Sequence, residues 1–513
     1  MKHHRNTILA VLSGILLVLS HPSFNLFPFA WVGLVPLLIA VRSVPNAKSA
    51  FRIGYISGLT FFGGLIYWIV LLYPFANIFV TVLGYAALVA YAALYFAVFS
   101  LAVHQLPRKS GISFIFPAAL IWTGLEWIRS WLLTGFPWGS MGYSQWNNHA
   151  VIQISSITGV YGVSFVVVLL NAAIAYFVIS SSDWRRAIKG VAFPVAIAAL
   201  SFAYGAFCLS DSVSPAARVQ LGLVPGNVSQ AEKWKSEHAP KIFKRYLGLT
   251  EKANAAKPEL IVWPETAIHP QILSGRAESY RRRLFKMLQE DQIYLLAGAP
   301  VREADKKYYN SVFLLSPTGE KLGSYSKMHL VPFGEYVPFS SALPNFIQFE
   351  TFAHGKSINL LPLADVEDNK VGIAICFESV FPNLFRKFVA KGASVMGILT
   401  NDAWFVGTTA PAQHLSAAPF RAVENRISVF RCANGGISCI IDPFGRIASQ
   451  TITPAEPDGV LVEDVPLKNH QSAGMTLYTR YGDWFPILCL LVSLALVGHR
   501  NRTWIQSKLK RAA

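Results

Sequence analysis

Eight apolar runs divide this chain of 513 residues, and most of them approach the roughly 20 residues that an α-helix needs to cross a bilayer. Hydrophobic residues make up 53% of the sequence and charged residues only 14%, which excludes an ordinary soluble protein. The sequence therefore predicts an α-helical membrane domain of seven spans over residues 1–210 and an eighth span at 484–500. The runs lie at about 7–20, 24–41, 53–72, 78–103, 112–132, 160–180, 190–208 and 485–499.

The basic residues belong mainly to this apolar part of the chain. The formal net charge is +17, yet residues 1–208 contain only two acidic residues, and the other 26 lie between Asp211 and Asp483. Because the polar central segment is close to neutral, the excess positive charge belongs to the membrane domain. A nucleic-acid groove, which needs a basic face on a folded domain, is therefore disfavoured.

Lys and Arg residues alternate between the connections that join the runs. They precede the first run and follow the second, fourth, sixth and eighth, whereas the connections His21–Asn25, Tyr73–Asn77 and Leu133–Gly159 contain none. Short cytoplasmic loops carry such an excess of basic residues. The pattern predicts that both termini are cytoplasmic and that the segment between runs seven and eight is extracytoplasmic.

Between residues 216 and 468 the pattern changes to short β-rich runs, separated by turns and amphipathic helices. This alternation over about 250 residues predicts a single α/β domain. Strands are predicted at 218–224, 260–263, 293–297, 311–315, 371–375, 395–399, 427–431, 437–441 and 459–462, and helices at 236–256, 276–290, 381–391 and 411–424.

The motifs of several familiar chemistries are missing. The sequence has no C-x-x-C, no H-E-x-x-H and no dense cluster of His and Asp, so we expect no dedicated metal site. G-x-S-x-G is also absent, which argues against a serine hydrolase. We expect the protein to need no metal and no soluble cofactor.

Three motifs place a reactive side chain at the end of a predicted strand. The run LIVWPE ends on Glu265, and the run VGIAIC ends on Cys376. Between them, Lys327 follows a predicted hairpin strand, with Glu335 eight residues further on. A carboxylate, an ammonium group and a thiol at neighbouring strand ends form a complete set for acyl transfer.

Each of these groups has an expected role. A thiol with an ordinary pKa of about 8.5 is mostly protonated at neutral pH, so Cys376 needs a base to act as a nucleophile. Glu265 can take the thiol proton and return it to the leaving group. Lys327 can lower the thiol pKa and stabilise an oxyanion together with the backbone N–H of Phe377. Glu335 is expected to hold Lys327 and Glu265 in register.

These motifs resemble the carbon–nitrogen hydrolase, or nitrilase, superfamily, and the resemblance covers the whole polar segment. It implies an αββα nitrilase-like sandwich whose Glu-Lys-Cys triad is formed by Glu265, Lys327 and Cys376. The second glutamate of the superfamily then corresponds to Glu335, and the acid two positions after the nucleophile corresponds to Glu378.

The resemblance also implies roles for three further residues. Trp234 is similar to the tryptophan of a mobile loop over the superfamily's active site, and Asn310 is a weaker match ahead of a predicted strand. Phe377 stands where a tyrosine is common, so only its backbone donor is expected to act there.

With seven spans before the domain and one after it, the resemblance implies an acyltransferase of the Gram-negative type of bacterial inner membrane, with a periplasmic catalytic domain. The implied donor is a phospholipid, with phosphatidylethanolamine preferred. The implied acceptor is the α-amino group of the N-terminal diacylglyceryl-cysteine of an apolipoprotein. The rival enzyme is a membrane-tethered amidase that hydrolyses small amides with the same triad. A transporter or receptor whose polar domain only binds ligand is the alternative from another class.

Four other residues invite a functional interpretation. His329 and His414 lie among aromatic residues near the expected cleft, and we interpret them as hydrogen-bonding groups rather than catalytic ones. Cys432 and Cys439 flank a turn at Asn434, but a two-residue turn would not set them opposite each other. A disulfide between them remains an alternative in an oxidising compartment, and we favour unpaired thiols.

Overall fold

The chain forms two compact units, Met1–Asp211 with Tyr481–Ala513, and Ser212–Arg480. The basic residues Arg108 and Lys109, and those after residue 499, on which the predicted topology partly rests, lie outside the described residues. The computed structural model describes residues 2–75, 77–107, 111–180, 184–210, 217–269, 278–338, 352–363, 368–470, 474–496 and 498.

The first unit is built from α-helices joined by short turns, several of them 3₁₀ turns. Its helices are Lys2–Ser20 (α1), Val35–Ser43 (α2), Ala47–Leu65 (α3), Ile78–Gln105 (α4), Ile112–Arg129 (α5), His149–Ile152 (α6), Ser155–Thr158 (α7), Val160–Ile179 (α8) and Trp184–Ser210 (α9). A further apolar helix occupies Trp484–Leu496.

Three stretches of the described chain are long and apolar enough to cross a membrane: Ile78–Gln105, Val160–Ile179 and Ala187–Ser210. Shorter apolar helical stretches occupy His4–Ser20, Phe27–Ser43 and Trp484–Leu496. The predicted run 24–41 is divided into a 3₁₀ turn and α2, each with a proline in its first turn, because proline cannot donate a backbone hydrogen bond. The first unit is thus a helical region with several apolar helices, and the count of eight spans stays a prediction.

Two glycines allow α3 and α4 to pack closely. A Cβ at Gly54 would lie 2.4 Å from the carbonyl oxygen of Phe96, and one at Gly58 would lie 2.7 Å from the Cα of Ala93. The G-x-x-x-G spacing puts both glycines on one face of α3. Backbone contact of this kind suits helices in lipid, where close packing rather than water exclusion drives association.

The two ionisable residues of α5 hold the segment that follows this helix. Glu126 accepts a 2.7 Å hydrogen bond from the backbone N–H of Met141, and Arg129 donates a 2.7 Å bond to the carbonyl of Phe136. Both side chains are buried. Because a buried charge is costly without partners, these bonds favour a structural role for both residues.

The second unit contains two six-stranded sheets, in the orders β12-β1-β2-β3-β4-β5 and β11-β10-β9-β8-β7-β6. In each sheet three central strands are parallel and their outer neighbours antiparallel. The strands are Arg218–Leu223 (β1), Leu260–Val262 (β2), Leu295–Arg302 (β3), Tyr308–Leu315 (β4), Lys321–Ser326 (β5), Leu361–Pro362 (β6), Lys370–Ile375 (β7), Val395–Asn401 (β8), Val429–Asn434 (β9), Ser438–Ile441 (β10), Ile447–Ile452 (β11) and Leu461–Pro466 (β12).

The two sheets pack face to face and are covered by helices, as predicted for an αββα sandwich. Leu314 of the first sheet and Ile373 of the second belong to one buried apolar cluster, which also includes Phe388 of a covering helix. A second cluster joins Ile261, on the other face of the first sheet, to Phe243. The helices are Gln230–Lys233 (α10), Ala239–Asn254 (α11), Glu278–Glu290 (α12), Pro382–Ala390 (α13), Ala410–Leu415 (α14), Ala418–Asn425 (α15) and Leu477–Tyr481 (α16).

Each predicted strand corresponds to an observed strand, although several ends differ. The strand predicted at 293–297 is Leu295–Arg302, because it pairs along its whole length with β4. The helix predicted at 411–424 is divided into α14 and α15, since Pro419 lies in the first turn of α15. The short strand β6 and the strand β11 were not predicted.

The five cysteines are free thiols, which confirms the expectation for Cys432 and Cys439. The pairing of β9 with β10 places Cys439 opposite Arg431 rather than opposite Cys432. Both thiols are buried in the apolar core of the second unit, where a free cysteine behaves as a small hydrophobic residue.

Candidate active site

The predicted triad residues follow three different strands of the second unit. Glu265 lies three residues after β2, Lys327 directly after β5 and Cys376 directly after β7. The Nζ atom of Lys327 is 3.4 Å from Oε1 of Glu265. The charges of Glu265 and Lys327 both act on the thiol of Cys376. The structure therefore brings together the three groups that the sequence analysis selected.

Lys327 and Asn310 join the two glutamates. Nζ of Lys327 is 2.8 Å from Oε2 of Glu335. The side-chain amide of Asn310 donates to Oε1 of Glu265 at 2.7 Å and to Oε1 of Glu335 at 2.9 Å. Asn310 lies within β4 rather than ahead of the strand, and its carbonyl accepts a 2.8 Å bond from the backbone N–H of Lys327. Glu335 therefore lies where it can hold Lys327 in place.

Lys327 keeps its charge in a buried position. Its side chain is 1% exposed. Burial favours the neutral amine, but the carboxylates of Glu335 and Glu265 outweigh burial and raise the pKa of Lys327 above its ordinary value. The site thus contains a fixed ammonium group beside the thiol.

Cys376 has a strained backbone and a protonated thiol. Its φ of +52° lies in the left-handed region, which costs a residue with a Cβ on the order of 1–3 kcal/mol. Burial and the charge of Glu265 raise the pKa of the thiol to about 12, against the opposing effect of Lys327. Lys327 therefore acts in the expected direction, but the net shift is upward. A resting thiol of this kind needs a base at the moment of attack.

Hydrogen bonds hold both the carboxylate and the backbone carbonyl of Glu265. The backbone N–H of Asn401 donates to its Oε2 at 2.8 Å, and Nζ of Lys233 donates to its carbonyl oxygen at 3.0 Å. Lys233 is buried, and burial lowers its pKa to about 7 against the opposing charges of Glu265 and Cys376. Neither contact was predicted from the sequence; the position of Lys233 directly before Trp234 was the available signal.

Glu378 links the two loops that carry Lys327 and Cys376. Its carboxylate accepts hydrogen bonds from the hydroxyl of Tyr325 and from the backbone N–H of Met328, both at 2.7 Å. Its other oxygen accepts a 2.8 Å bond from the backbone N–H of Ile375. These bonds fix the ends of β5 and β7 relative to each other, which gives a physical reason for an acid two residues after the thiol.

The remaining predicted residues lie at the margin of this cluster. Trp234 ends helix α10, and 42% of its surface is exposed. Phe377 begins the turn after the thiol, and its ring packs against the rings of His329 and Phe381. Exposure of a large aromatic side chain is consistent with a loop residue that contacts a substrate, and the aromatic packing holds the backbone of Phe377.

Gly298 on β3 makes room for Glu265, and this contact yields a first prediction. A Cβ at this position would lie 2.6 Å from the carbonyl oxygen of Pro264 and 2.7 Å from the Cα of Glu265. We expect Gly298→Ala to displace the carboxylate and reduce the rate of acyl transfer about 100-fold, the usual cost of misplacing a reacting group by about 1 Å.

The control for this prediction is Gly248→Ala in helix α11, where an added Cβ meets no heavy atom within 4 Å. We expect unchanged activity and a free energy of unfolding that is unchanged or higher by up to about 1 kcal/mol. Acyl-transfer rates and unfolding curves of both variants are the measurement. Wild-type activity in Gly298→Ala would contradict the role assigned to this contact.

Comparison with known proteins identifies the protein class to which the second unit belongs. A family model described as carbon-nitrogen hydrolase matches residues 216–474, which is the unit that contains the sandwich and the Glu-Lys-Cys cluster. Among solved structures, Saccharomyces cerevisiae Nit3, a member of branch 10 of the nitrilase superfamily, is 21% identical with a TM-score of 0.39, over 50% of this chain and 93% of that one. The match to the family model shows that the second unit has the carbon–nitrogen hydrolase fold.

The first unit and the full-length relatives narrow the class to one family. A model described as apolipoprotein N-acyltransferase N-terminal domain matches residues 13–173. The apolipoprotein N-acyltransferase of Geobacter metallireducens is 38% identical over 95% of this chain and 93% of its own length. Apolipoprotein N-acyltransferase 1 of Treponema denticola is 32% identical over 95% and 94%. The chain belongs to the apolipoprotein N-acyltransferase family.

Proposed function

We propose that this protein transfers an acyl chain from a membrane phospholipid, through a thioester on Cys376, to the α-amino group of the N-terminal diacylglyceryl-cysteine of an apolipoprotein. The observation that carries the proposal is the buried cluster in which Lys327 bridges Glu265 and Glu335 beside a thiol. Membership of the apolipoprotein N-acyltransferase family supports the lipoprotein acceptor and the membrane setting.

In the first half-reaction Cys376 attacks the ester carbonyl of the phospholipid. Glu265 takes the thiol proton as the C–S bond forms, and Lys327 with the backbone N–H of Phe377 stabilises the oxyanion. The C–O bond then breaks, and Glu265 returns the proton to the lysophospholipid oxygen. The raised pKa of the thiol supports this sequence, because a protonated thiol gains nucleophilicity only when a base removes its proton.

In the second half-reaction the α-amino group of the acceptor attacks the thioester. The new C–N bond replaces the C–S bond, and Glu265 carries one amine proton to the departing thiolate, which restores the starting state. A thioester resists water moderately yet reacts readily with an amine, so a thiol suits this transfer better than a hydroxyl. Trp234 is proposed to contact the lipid substrates from the loop over the site.

The membrane arrangement is part of the same proposal. Seven spans over residues 1–210 and one at 484–500 would hold the catalytic domain, 216–468, at the surface of a bacterial inner membrane of the Gram-negative type. The positive-inside pattern supports cytoplasmic termini and a periplasmic site. Phosphatidylethanolamine is the proposed donor, because it is the donor that the family resemblance implies.

The decisive experiment follows a labelled acyl chain from phosphatidylethanolamine in detergent micelles that contain a synthetic diacylated lipopeptide. The proposal predicts that label leaves the lipid only as fast as amide-linked label appears on the lipopeptide. The rival, a membrane-tethered amidase, predicts release of free fatty acid or hydrolysis of small amides without transfer. Predominant hydrolysis in the presence of the lipopeptide would overturn the acyltransferase assignment of this site.

A further inference from the structure

A second buried polar cluster is formed by Asp402, His414 and Arg431, next to the backbone of Cys376. The mechanism above does not use it. His414 contacts Asp402 through Nδ1 at 2.9 Å, and Arg431 contacts the other oxygen of Asp402 at 2.6 Å. The three residues are at most 5% exposed. Arg431 and His414 lower the pKa of Asp402 to about 2, although burial opposes them, so the cluster contains a carboxylate that fixes the imidazole ring.

The other nitrogen of this ring reaches the backbone of the nucleophile. Nε2 of His414 is 3.1 Å from the carbonyl oxygen of Cys376 and 3.0 Å from Oγ of Ser379. The hydroxyl of Ser379 also donates to that carbonyl, at 2.9 Å. Because a carbonyl oxygen only accepts hydrogen bonds, the contact with Cys376 needs the proton on Nε2. Two donors therefore hold one carbonyl in the strained left-handed turn.

The carbonyl of Cys376 and the N–H of Phe377 belong to the same peptide group. In a planar trans peptide these two bonds point in opposite directions. Donors that fix the carbonyl toward the buried cluster therefore fix the N–H toward the opposite side. Hydrogen bonds to the carbonyl also polarise the peptide and strengthen its N–H as a donor.

We propose that His414, oriented by Asp402 and Arg431, is a positioning residue that holds the Cys376–Phe377 peptide so that its N–H serves the oxyanion of the tetrahedral intermediate. This inference rests on the acyl transfer proposed above and deepens it. His414 touches neither the thiol nor the substrate in this scheme, and it acts only through the peptide group.

The test compares two reactions of the same thiol. Acylation by a p-nitrophenyl ester of a fatty acid passes through an oxyanion, whereas alkylation by iodoacetamide does not. We expect His414→Phe, which keeps a ring but removes the donor, to slow acylation about 100-fold, the low end of the effect of losing an oxyanion donor. Alkylation should change less than about threefold. His414→Gln, which restores an N–H donor, should recover most of the acylation rate.

Two further variants separate positioning from folding. Ser379→Ala removes the other of the two anchors and leaves His414 in place, so we expect a selective loss of acylation of about tenfold. His470→Phe is the matched control, because Nε2 of His470 also contacts a backbone carbonyl, that of Ala393, at 2.8 Å. This control should leave both thiol reactions unchanged, and unfolding midpoints should show that each variant is folded.

Equal loss of acylation and alkylation in the His414 and Ser379 variants, or full acylation activity in His414→Phe, would overturn the proposal. A wild-type protein that reacts with the p-nitrophenyl ester but not with phosphatidylethanolamine would instead contradict the proposed function, and the inference about His414 would stand or fall separately on the variants. Absence of acylation by either donor in the wild type would overturn both.

Discussion

Cys376→Ala is expected to reduce acyl transfer from phospholipid to lipopeptide by at least about 10⁴-fold, because the proposed covalent intermediate forms on this sulfur. The thiol is partly buried and makes no main contribution to the core, so we expect the variant to remain folded. The measurement is the rate of amide formation on the lipopeptide, together with acyl label on the protein after a short exposure to donor.

Two companion variants sharpen this result. Cys376→Ser keeps a weaker nucleophile, so any label on this variant is an oxygen ester, which neutral hydroxylamine leaves intact while it removes label from the wild-type thioester. Cys208→Ala removes a thiol from α9, in the other compact unit, and should retain activity. Transfer by Cys376→Ala at more than about one-hundredth of the wild-type rate would contradict the covalent mechanism.

Lys327→Met is expected to combine a large loss of activity with a large loss of stability. Removing the ammonium group leaves the buried carboxylate of Glu265 and the partly buried carboxylate of Glu335 joined by Asn310. Loss of one partner from a buried ion pair costs about 3–5 kcal/mol in the free energy of unfolding. Loss of the charge that stabilises the oxyanion should reduce acyl transfer by about 10³-fold.

The double variant Lys327→Met/Glu335→Gln separates these two effects. Neutralising Glu335 removes one of the unpaired carboxylates, so we expect recovery of most of the lost stability but not of the activity. Lys286→Met is the matched control, because Lys286 pairs with Glu290 at 3.6 Å on the surface, where such a pair contributes little. Parallel recovery of activity and stability in the double variant would show that Lys327 acts only as a structural cation.

Two of the three reactive residues, Glu265 and Cys376, could be predicted because each follows an apolar strand. Runs such as 260–263 and 371–375 are recognisable as buried strands, and a polar residue at the end of such a strand is conspicuous. Glu265 and Cys376 were found in this way, and the structure places them with Lys327. The alternation of strands and helices predicted an α/β domain, whereas the two-layered sandwich was implied by the resemblance to the carbon–nitrogen hydrolase superfamily.

Other contacts of the site could not be predicted from local sequence. The bond from Asn401 to Glu265 comes from a backbone N–H, which every residue but proline has. Asn310 was a weak match, and its bridge between two glutamates depends on the register of β4 with β5. The contact of His414 with the carbonyl of Cys376 likewise joins residues 38 positions apart. Pairings of this kind become visible only when the sheets are assembled.

For the first, helical unit, prediction from the sequence was limited in a different way. Apolar composition identifies runs that belong in lipid. It does not show where a proline divides such a run into separate helical segments, as the proline in the first turn of α2 does. The described residues therefore include three long apolar helices, whereas the sequence predicts eight apolar runs. Charge alternation carries information on orientation that helix length does not.

The most direct test of the central claim is the intact mass of the purified protein after brief exposure to phosphatidylethanolamine without lipopeptide. The covalent mechanism predicts one added acyl chain per protein, located on the peptide that contains Cys376 and lost when lipopeptide is added. An unchanged mass in protein that still transfers acyl chains, or an acyl adduct that persists in Cys376→Ala, would contradict it.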